Sequence, residues 1–157
     1  ILESLRDDCL KVFDINIRQN YYTLDIIKRS LDIADILKLN ENELPVLKEL
    51  FGLSGDVGTQ LDELIRSFNL STIAYTMGSE GSILLSREVK SIMKPVDVKV
   101  VDSVGAGDAF TAILVAGILN GKQLTEIHKT ASDIASYICT REGATPKIPA
   151  NLIDNLL

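Results

Sequence analysis

A short segment late in the chain concentrates the residues able to do chemistry. Val101–Phe110 reads VDSVGAGDAF, between an apolar stretch and a small-residue apolar run, AFTAILVAGIL. Gly105 and Gly107 open backbone conformations closed to residues with a Cβ, and Ala106 between them is too small to block a ligand. The N–H groups of Gly105, Ala106 and Gly107 are therefore expected to converge at a helix start, where unpaired donors and the helix dipole attract an anion. Asp108 falls in the first turn of that helix. One reading makes it a carboxylate that only complements the dipole. The other makes it a base that takes a proton from a hydroxyl attacking a phosphoryl group held on the amides. Phosphoryl transfer needs that pairing of charge stabilisation with an oriented nucleophile. No GxxxxGK[ST] occurs, and GAGDAF lacks the third glycine of a dinucleotide fingerprint.

The elements around this segment alternate between strand and helix. Apolar runs predict strands over Leu10–Ile15, Asp35–Leu39, Ser71–Met77, Gly81–Ser86, Val89–Met93 and Val96–Val101. Leu24, Ile27, Leu31 and Ala34 follow helical spacing, so Thr23–Ala34 reads as an amphipathic helix with Thr23 as its N-cap. A second helix is expected from Asn40, as N-cap, through Phe51, with Pro45 tolerated near its start. SGDVG reads as a loop and Thr59–Phe68 as a helix. GSEG reads as a turn. Helices follow over Gly107–Asn120 and Leu124–Thr140, with a short one from Ala150. The alternation predicts an α/β sandwich with a largely parallel sheet, and the strand cluster between Ser71 and Val101 suggests antiparallel additions at one edge. No repeat or linker divides the chain, so residues 1–157 read as one domain or part of one.

Composition narrows the function classes. The chain has 157 residues, 46% of them hydrophobic, and a net charge of −6. An acidic chain without a Lys/Arg block argues against nucleic acid as a partner. No apolar run approaches the ~20 residues of a membrane span, and the first residues, ILESLRDDCLK, lack the pattern of a signal peptide. The chain reads as cytoplasmic. Cys9 and Cys139 are far apart and read as two buried, reduced thiols. The single histidine, His128, leaves no basis for a His/Cys metal cluster. It is expected on an exposed polar helix face, and Met77 and Met93 in core or edge packing.

DSVGAGDAF resembles the D-T-x-G-A-G-D signature of the ribokinase/PfkB carbohydrate kinases, with Ser103 in place of threonine. Other segments match the family in the same order. Phe13–Arg18 (FDINIR) resembles D-x-N-x-R, Asn40–Glu43 (NENE) resembles N-x-x-E, Thr76–Gly81 (TMGSEG) resembles T-x-G-x-x-G, and Arg141–Pro149 (REGATPKIP) resembles G-A-x-x-x-x-P. Alone, each reads as a polar strand end, a helix cap, a hairpin turn or a helix stop; the ordered set is what is specific.

The resemblance implies a three-layer, ribokinase-like α/β/α fold and transfer of the γ-phosphate of ATP to a sugar hydroxyl, with Mg²⁺. It makes Asp108 the base and Gly105, Ala106 and Gly107 the anion hole. It places Asn40 and Glu43 near Mg²⁺ and the triphosphate, Glu43 through water, and Thr76, Gly78 and Gly81 along the nucleotide. Ser132 falls where relatives often carry Asn or His beside the adenine. Asn16 and Arg18 would face the sugar, with a fructokinase-like hexose as the favoured acceptor. Asp102 and Gly143 resemble the monovalent-cation (K⁺) site of some members, near which Lys147 brings a charge that replaces or excludes the ion. The sugar-contacting residues, Gly-Gly motif and β-sheet lid of the family's N-terminal half find no match. The chain therefore reads as the C-terminal nucleotide-binding part of such a kinase, with residues 1–8 as a helix tail. Alone it is expected to be inactive, because positioning supplies roughly 7–11 kcal/mol of a barrier, and self-association is expected. The competing reading is a non-catalytic nucleotide-binding or assembly half-kinase that needs an N-terminal partner.

Overall fold

The computed structural model describes residues 5–6, 8–19 and 21–153. The helix tail expected over residues 1–8 lies largely outside them. Among the described residues, five strands form one mixed sheet in the order β1-β2-β3-β4-β5: Val12–Asp14, Ile36–Asn40, Thr72–Thr76, Ser82–Ser86 and Lys90–Met93. The α-helices are α1 (Leu24–Ile33), α2 (Leu44–Phe51), α3 (Val57–Ser67), α4 (Ala106–Leu119) and α5 (Leu124–Cys139). The chain groups into two compact units. One comprises Ile1–Thr76 with Leu85–Lys90, the other Met77–Leu84 with Ser91–Leu157.

In the first unit β1, β2 and β3 are parallel, with Asp14 opposite Lys38 and Asn40 opposite Thr76. β2 and β3 are buried along almost their whole length, which is why they read as continuous apolar runs rather than alternating ones. Leu31 of α1, Leu47 of α2 and Leu61 and Leu64 of α3 reach 0% exposure, each contributing on the order of 1.5–3 kcal/mol. Thr23 caps α1 as expected, its Oγ1 accepting the Ile26 N–H at 3.2 Å. Leu24, expected on the buried face, is largely exposed, so that face narrows to Ile27, Leu31 and Ala34.

Two helix starts differ from expectation. Asn40 does not begin a helix: it ends β2, and α2 starts at Leu44 with Pro45 in its first turn. The ladder to Thr76 keeps Asn40 extended, while its side chain organises the turn that follows. α3 starts two residues before Thr59, because Asp56 accepts the Thr59 N–H at 2.8 Å.

In the second unit α4 and α5 pack on each other as a helical hairpin. Phe110 and Leu114 of α4 and Ile127, Ala131 and Ile134 of α5 are buried. A 3-10 turn at Gly78–Glu80 leads into β4, closed by the Met77 N–H on the Gly81 carbonyl at 2.8 Å. The strand expected over Val96–Val101 is absent: residues 94–100 carry no ladder, and Val96 and Val100 are exposed. The alternating valines imitate a strand, but Pro95 removes a donor at its start, and Val101 donates instead to the Cys139 carbonyl at 2.8 Å.

Candidate active site

The glycine segment of the second unit is set by contacts on both sides. Val101 and Asp102 donate main-chain bonds to the Cys139 carbonyl at the end of α5. The Asp102 carboxylate accepts the Val104 N–H at 3.0 Å through one oxygen and the Gly143 N–H at 3.2 Å through the other. The chain then turns at Gly105, whose φ of 83° lies in the left-handed region. A Cβ there would run into the Ala144 carbonyl, so glycine is required both by conformation and by the close approach of the Gly143–Ala144 loop.

α4 begins at Ala106, and its ladder opens with the Ala109 N–H on the Gly105 carbonyl at 2.9 Å. N–H groups in a helix's first turn have no carbonyl one turn earlier to receive them; that of Ala106 makes a long 3.3 Å contact with the Ser103 carbonyl. Asp108 lies in this first turn and is exposed. The arrangement joins main-chain donors, the positive end of a helix dipole and an accessible carboxylate within consecutive residues.

The first unit gathers a second group at the C-terminal ends of its parallel strands, where α/β sheets bind ligands. Asn16 and Arg18 follow β1, and both are exposed. Asn40 ends β2 and Thr76 ends β3. The Asn40 side chain accepts the N–H groups of Asn42 (2.9 Å) and Glu43 (3.2 Å). Glu43 returns a carboxylate oxygen to the Asn40 N–H at 2.8 Å and its other oxygen to the Ile17 N–H at 3.0 Å. The Glu41 N–H reaches the Thr76 carbonyl at 3.0 Å, tying the turn to the end of β3. Beneath it, Lys38 and Asp14 form an ion pair at 3.1 Å in which the lysine side chain is 9% exposed.

The pfkB family carbohydrate kinase profile matches residues 4–151. The chain belongs to that family. It is 33% identical over 122 residues to an uncharacterized sugar kinase of Archaeoglobus fulgidus, covering 77% of this chain and 48% of that one. The crystal structure of a Thermotoga maritima ribokinase superposes with a TM-score of 0.79 at 23% identity, over 99% of this chain and 50% of that one. A Vibrio cholerae fructokinase, solved with fructose, ADP and potassium ion, gives a TM-score of 0.73 at 26% identity, over 93% and 50%. The fold is ribokinase-like, and the chain spans about half the length of these relatives.

Set out by unit, the pfkB motifs form two groups. Asn16, Arg18, Asn40, Glu43 and Thr76 share one strand edge in the first. Gly78, Gly81, Asp102, Gly105, Ala106, Gly107, Asp108, Ser132 and Gly143 belong to the second. Gly78 and Gly81 adopt φ of 50° and 99°, and a Cβ on Gly81 would strike the Met93 carbonyl, so the T-x-G-x-x-G spacing answers to a turn that other residues cannot make. Gly143 has φ of 78° and open space around its Cα. Lys147 is exposed, and its carbonyl accepts the Tyr137 hydroxyl at 3.3 Å. Both cysteines are free, but half-buried rather than buried as expected; burial, then the Asp102 charge, raises the Cys139 thiol above its usual value.

His128 overturns its expectation. It is fully buried, with Nε2 at 2.8 Å from Ser82 Oγ, Nδ1 at 2.7 Å from Ser91 Oγ and its ring edge-on to Phe110. Ser82 Oγ lies in turn 3.3 Å from Ser132 Oγ. Burial lowers the imidazole to about 4, so the neutral ring donates to one serine and accepts from the other. The signal was present in the sequence: His128 is three residues before Ala131, on the stripe that carries Ile127 and Ile134. The Lys38–Asp14 pair also went unread, because a lysine inside an apolar run reads as a strand irregularity until its parallel neighbour is known.

Proposed function

We propose that this chain is the nucleotide-binding part of an ATP-dependent sugar kinase, acting on a fructose-like hexose. The observation that carries the reading is the exposed Asp108 carboxylate one turn or less from the Gly105–Gly107 amides at the start of α4. Those amides and the helix dipole suit the equatorial oxygens of a transferring phosphoryl group. Asp108 accepts the proton of the attacking hydroxyl and orients it in line; in the first unit, Asn16 and Arg18 after β1 are the residues assigned to sugar recognition.

ATP with Mg²⁺ supplies the phosphoryl group and neutralises its charge. Mg²⁺ binds through phosphates, waters and one or two carboxylates rather than an all-protein cage. Among the described residues no cluster of three or more His, Cys, Asp or Glu would form such a cage. Thr76, Gly78 and Gly81 line the nucleotide, where glycine lets the main chain approach closely, and Ser132 lies beside the base. Asp102 and Gly143, already joined through the Gly143 N–H, form the K⁺-site region, by likeness to the V. cholerae fructokinase solved with that ion. No helix among the described residues is long and apolar enough to cross a membrane.

Asp108→Asn tests this in a full-length kinase carrying the chain. Phosphorylation of D-fructose should lose about 10²–10⁴ in kcat, the range of a general base, with ATP affinity unchanged. Equal loss of ATP affinity would mean a structural role for the carboxylate. The chain spans 48–50% of its relatives, which favours the second reading for the chain by itself: a nucleotide-binding half without turnover. Calorimetric titration of the 157-residue chain with ATP, with and without Mg²⁺, together with a coupled kinase assay, separates the two. Binding without turnover supports the half-kinase, and brisk turnover by the chain alone rejects it.

A further inference from the structure

Glu43 is 4% exposed, yet both of its carboxylate oxygens meet main-chain donors from two different strand ends. The bond to the Asn40 N–H is local. With the Asn40 side chain accepting the Glu43 N–H, it makes a reciprocal box across N-x-x-E of the kind that closes helix starts. The bond to the Ile17 N–H is not local, because it reaches 26 positions back along the chain into D-x-N-x-R. That N–H belongs to the peptide joining Asn16 to Ile17, so its direction is fixed by the ψ of Asn16. Asn16 has φ of 40°, a left-handed conformation uncommon for any residue with a Cβ and one that persists when surrounding contacts hold it. The same stretch is anchored from below by the Ile15 N–H on the Lys38 carbonyl at 3.2 Å and by the Lys38–Asp14 pair.

We propose that Glu43 is a positioning residue for the acceptor side of the site. Its second oxygen holds the Asn16–Ile17 peptide, and through it the left-handed Asn16 and the direction in which Arg18 leaves β1. The N-x-x-E and D-x-N-x-R motifs are then one mechanical unit rather than separate metal and sugar contacts. What Asn16 and Arg18 meet rests on the kinase reading above; the tether itself does not.

Amide hydrogen exchange on the 157-residue chain tests the tether without substrate. Glu43→Asp keeps the charge but is one methylene shorter, so it can serve the local Asn40 donor and not the distant one. Exchange at Ile17 should accelerate about tenfold, the loss of one hydrogen bond of ~1.4 kcal/mol, with Leu61 and Leu64 in α3 unchanged. Glu43→Gln keeps the length but turns one acceptor into a donor, so the amide of Ile17 or Asn40 should accelerate to a similar degree. Unchanged exchange at Ile17 in the aspartate variant, or acceleration shared equally by Leu61 and Leu64, overturns the proposal. ATP titration of Glu43→Asp at several Mg²⁺ concentrations gives the second arm: nucleotide affinity and its Mg²⁺ dependence should stay within about twofold of wild type. Lost Mg²⁺ dependence with Ile17 still protected would assign Glu43 to the metal instead. In the full-length kinase, the D-fructose KM should rise several-fold more than kcat falls. If no sugar is turned over at all, the kinase reading fails while the exchange result still decides the tether.

Discussion

Single side chains in this protein are constrained by what surrounds them more than by their type. His128 shows this most directly. Above pH 6.5, the ordinary value of the ring, folded and unfolded chains both carry it neutral. As the pH falls, the unfolded chain takes up a proton that the folded one refuses until about pH 4. Stability is therefore lost across that window, by about 2 kcal/mol between pH 7 and pH 5. Urea unfolding at the two pH values measures the loss, and His128→Asn should shrink it; an undiminished drop in the variant would place the sensitivity elsewhere. Gly105 is held as tightly by its backbone. Gly105→Ala demands a left-handed alanine and displacement of the Ala144 carbonyl, and should cost roughly 1–3 kcal/mol in thermal unfolding. A variant as stable as wild type would mean that the 143–144 loop yields freely. The first-turn place of Asp108 was legible from the glycines before it. For His128 the helical stripe signalled burial, but its partners were not legible, because Ser82 and Ser91 come from strands far away in sequence.

At the level of elements, the apolar patterns located the five strands and the five α-helices of the described residues, with boundary shifts that trace to particular groups. Asp56 drew the start of α3 earlier than Thr59, and the ladder to Thr76 kept Asn40 in β2. The failure at Val96–Val101 shows the limit of periodicity: alternation says which residues would share a face, but a strand also needs a partner for its N–H and C=O groups. The motifs of the candidate site were readable because glycines and capping residues act locally. The grouping of Asn16, Asn40 and Thr76 at one strand edge of the first unit was not, since it depends on the parallel register of β1, β2 and β3. Caps offer a direct check at this scale. Thr23→Ala removes the acceptor for the Ile26 N–H and should lower stability by about 1 kcal/mol, read as a shift in the urea midpoint with unchanged slope. No shift would show that water replaces the hydroxyl without loss.

Across the whole chain, the two units contrast in how far apart in sequence their paired elements lie. The β1–β2 and β2–β3 pairings join residues separated by intervening helices, such as Val12 with Ile36 and Ile36 with Thr72. α4 and α5 meet across the short connection between Leu119 and Leu124. Truncating a buried residue in either, Leu64→Ala or Leu114→Ala, should cost about 2–5 kcal/mol by chemical denaturation, and a smaller loss would reveal a site able to collapse. The order of assembly, however, should differ between them. Closing a long loop costs more chain entropy than closing a short one, and distant pairings come late. In a refolding experiment with pulsed deuterium labelling, amides of the helical hairpin should gain protection before those of the parallel ladder. The main-chain cradle around Gly105 would then have its supporting helices early, while the strand edge bearing Asn16, Asn40 and Thr76 would be the last part of the molecule to acquire its shape, and the first to lose it under stress.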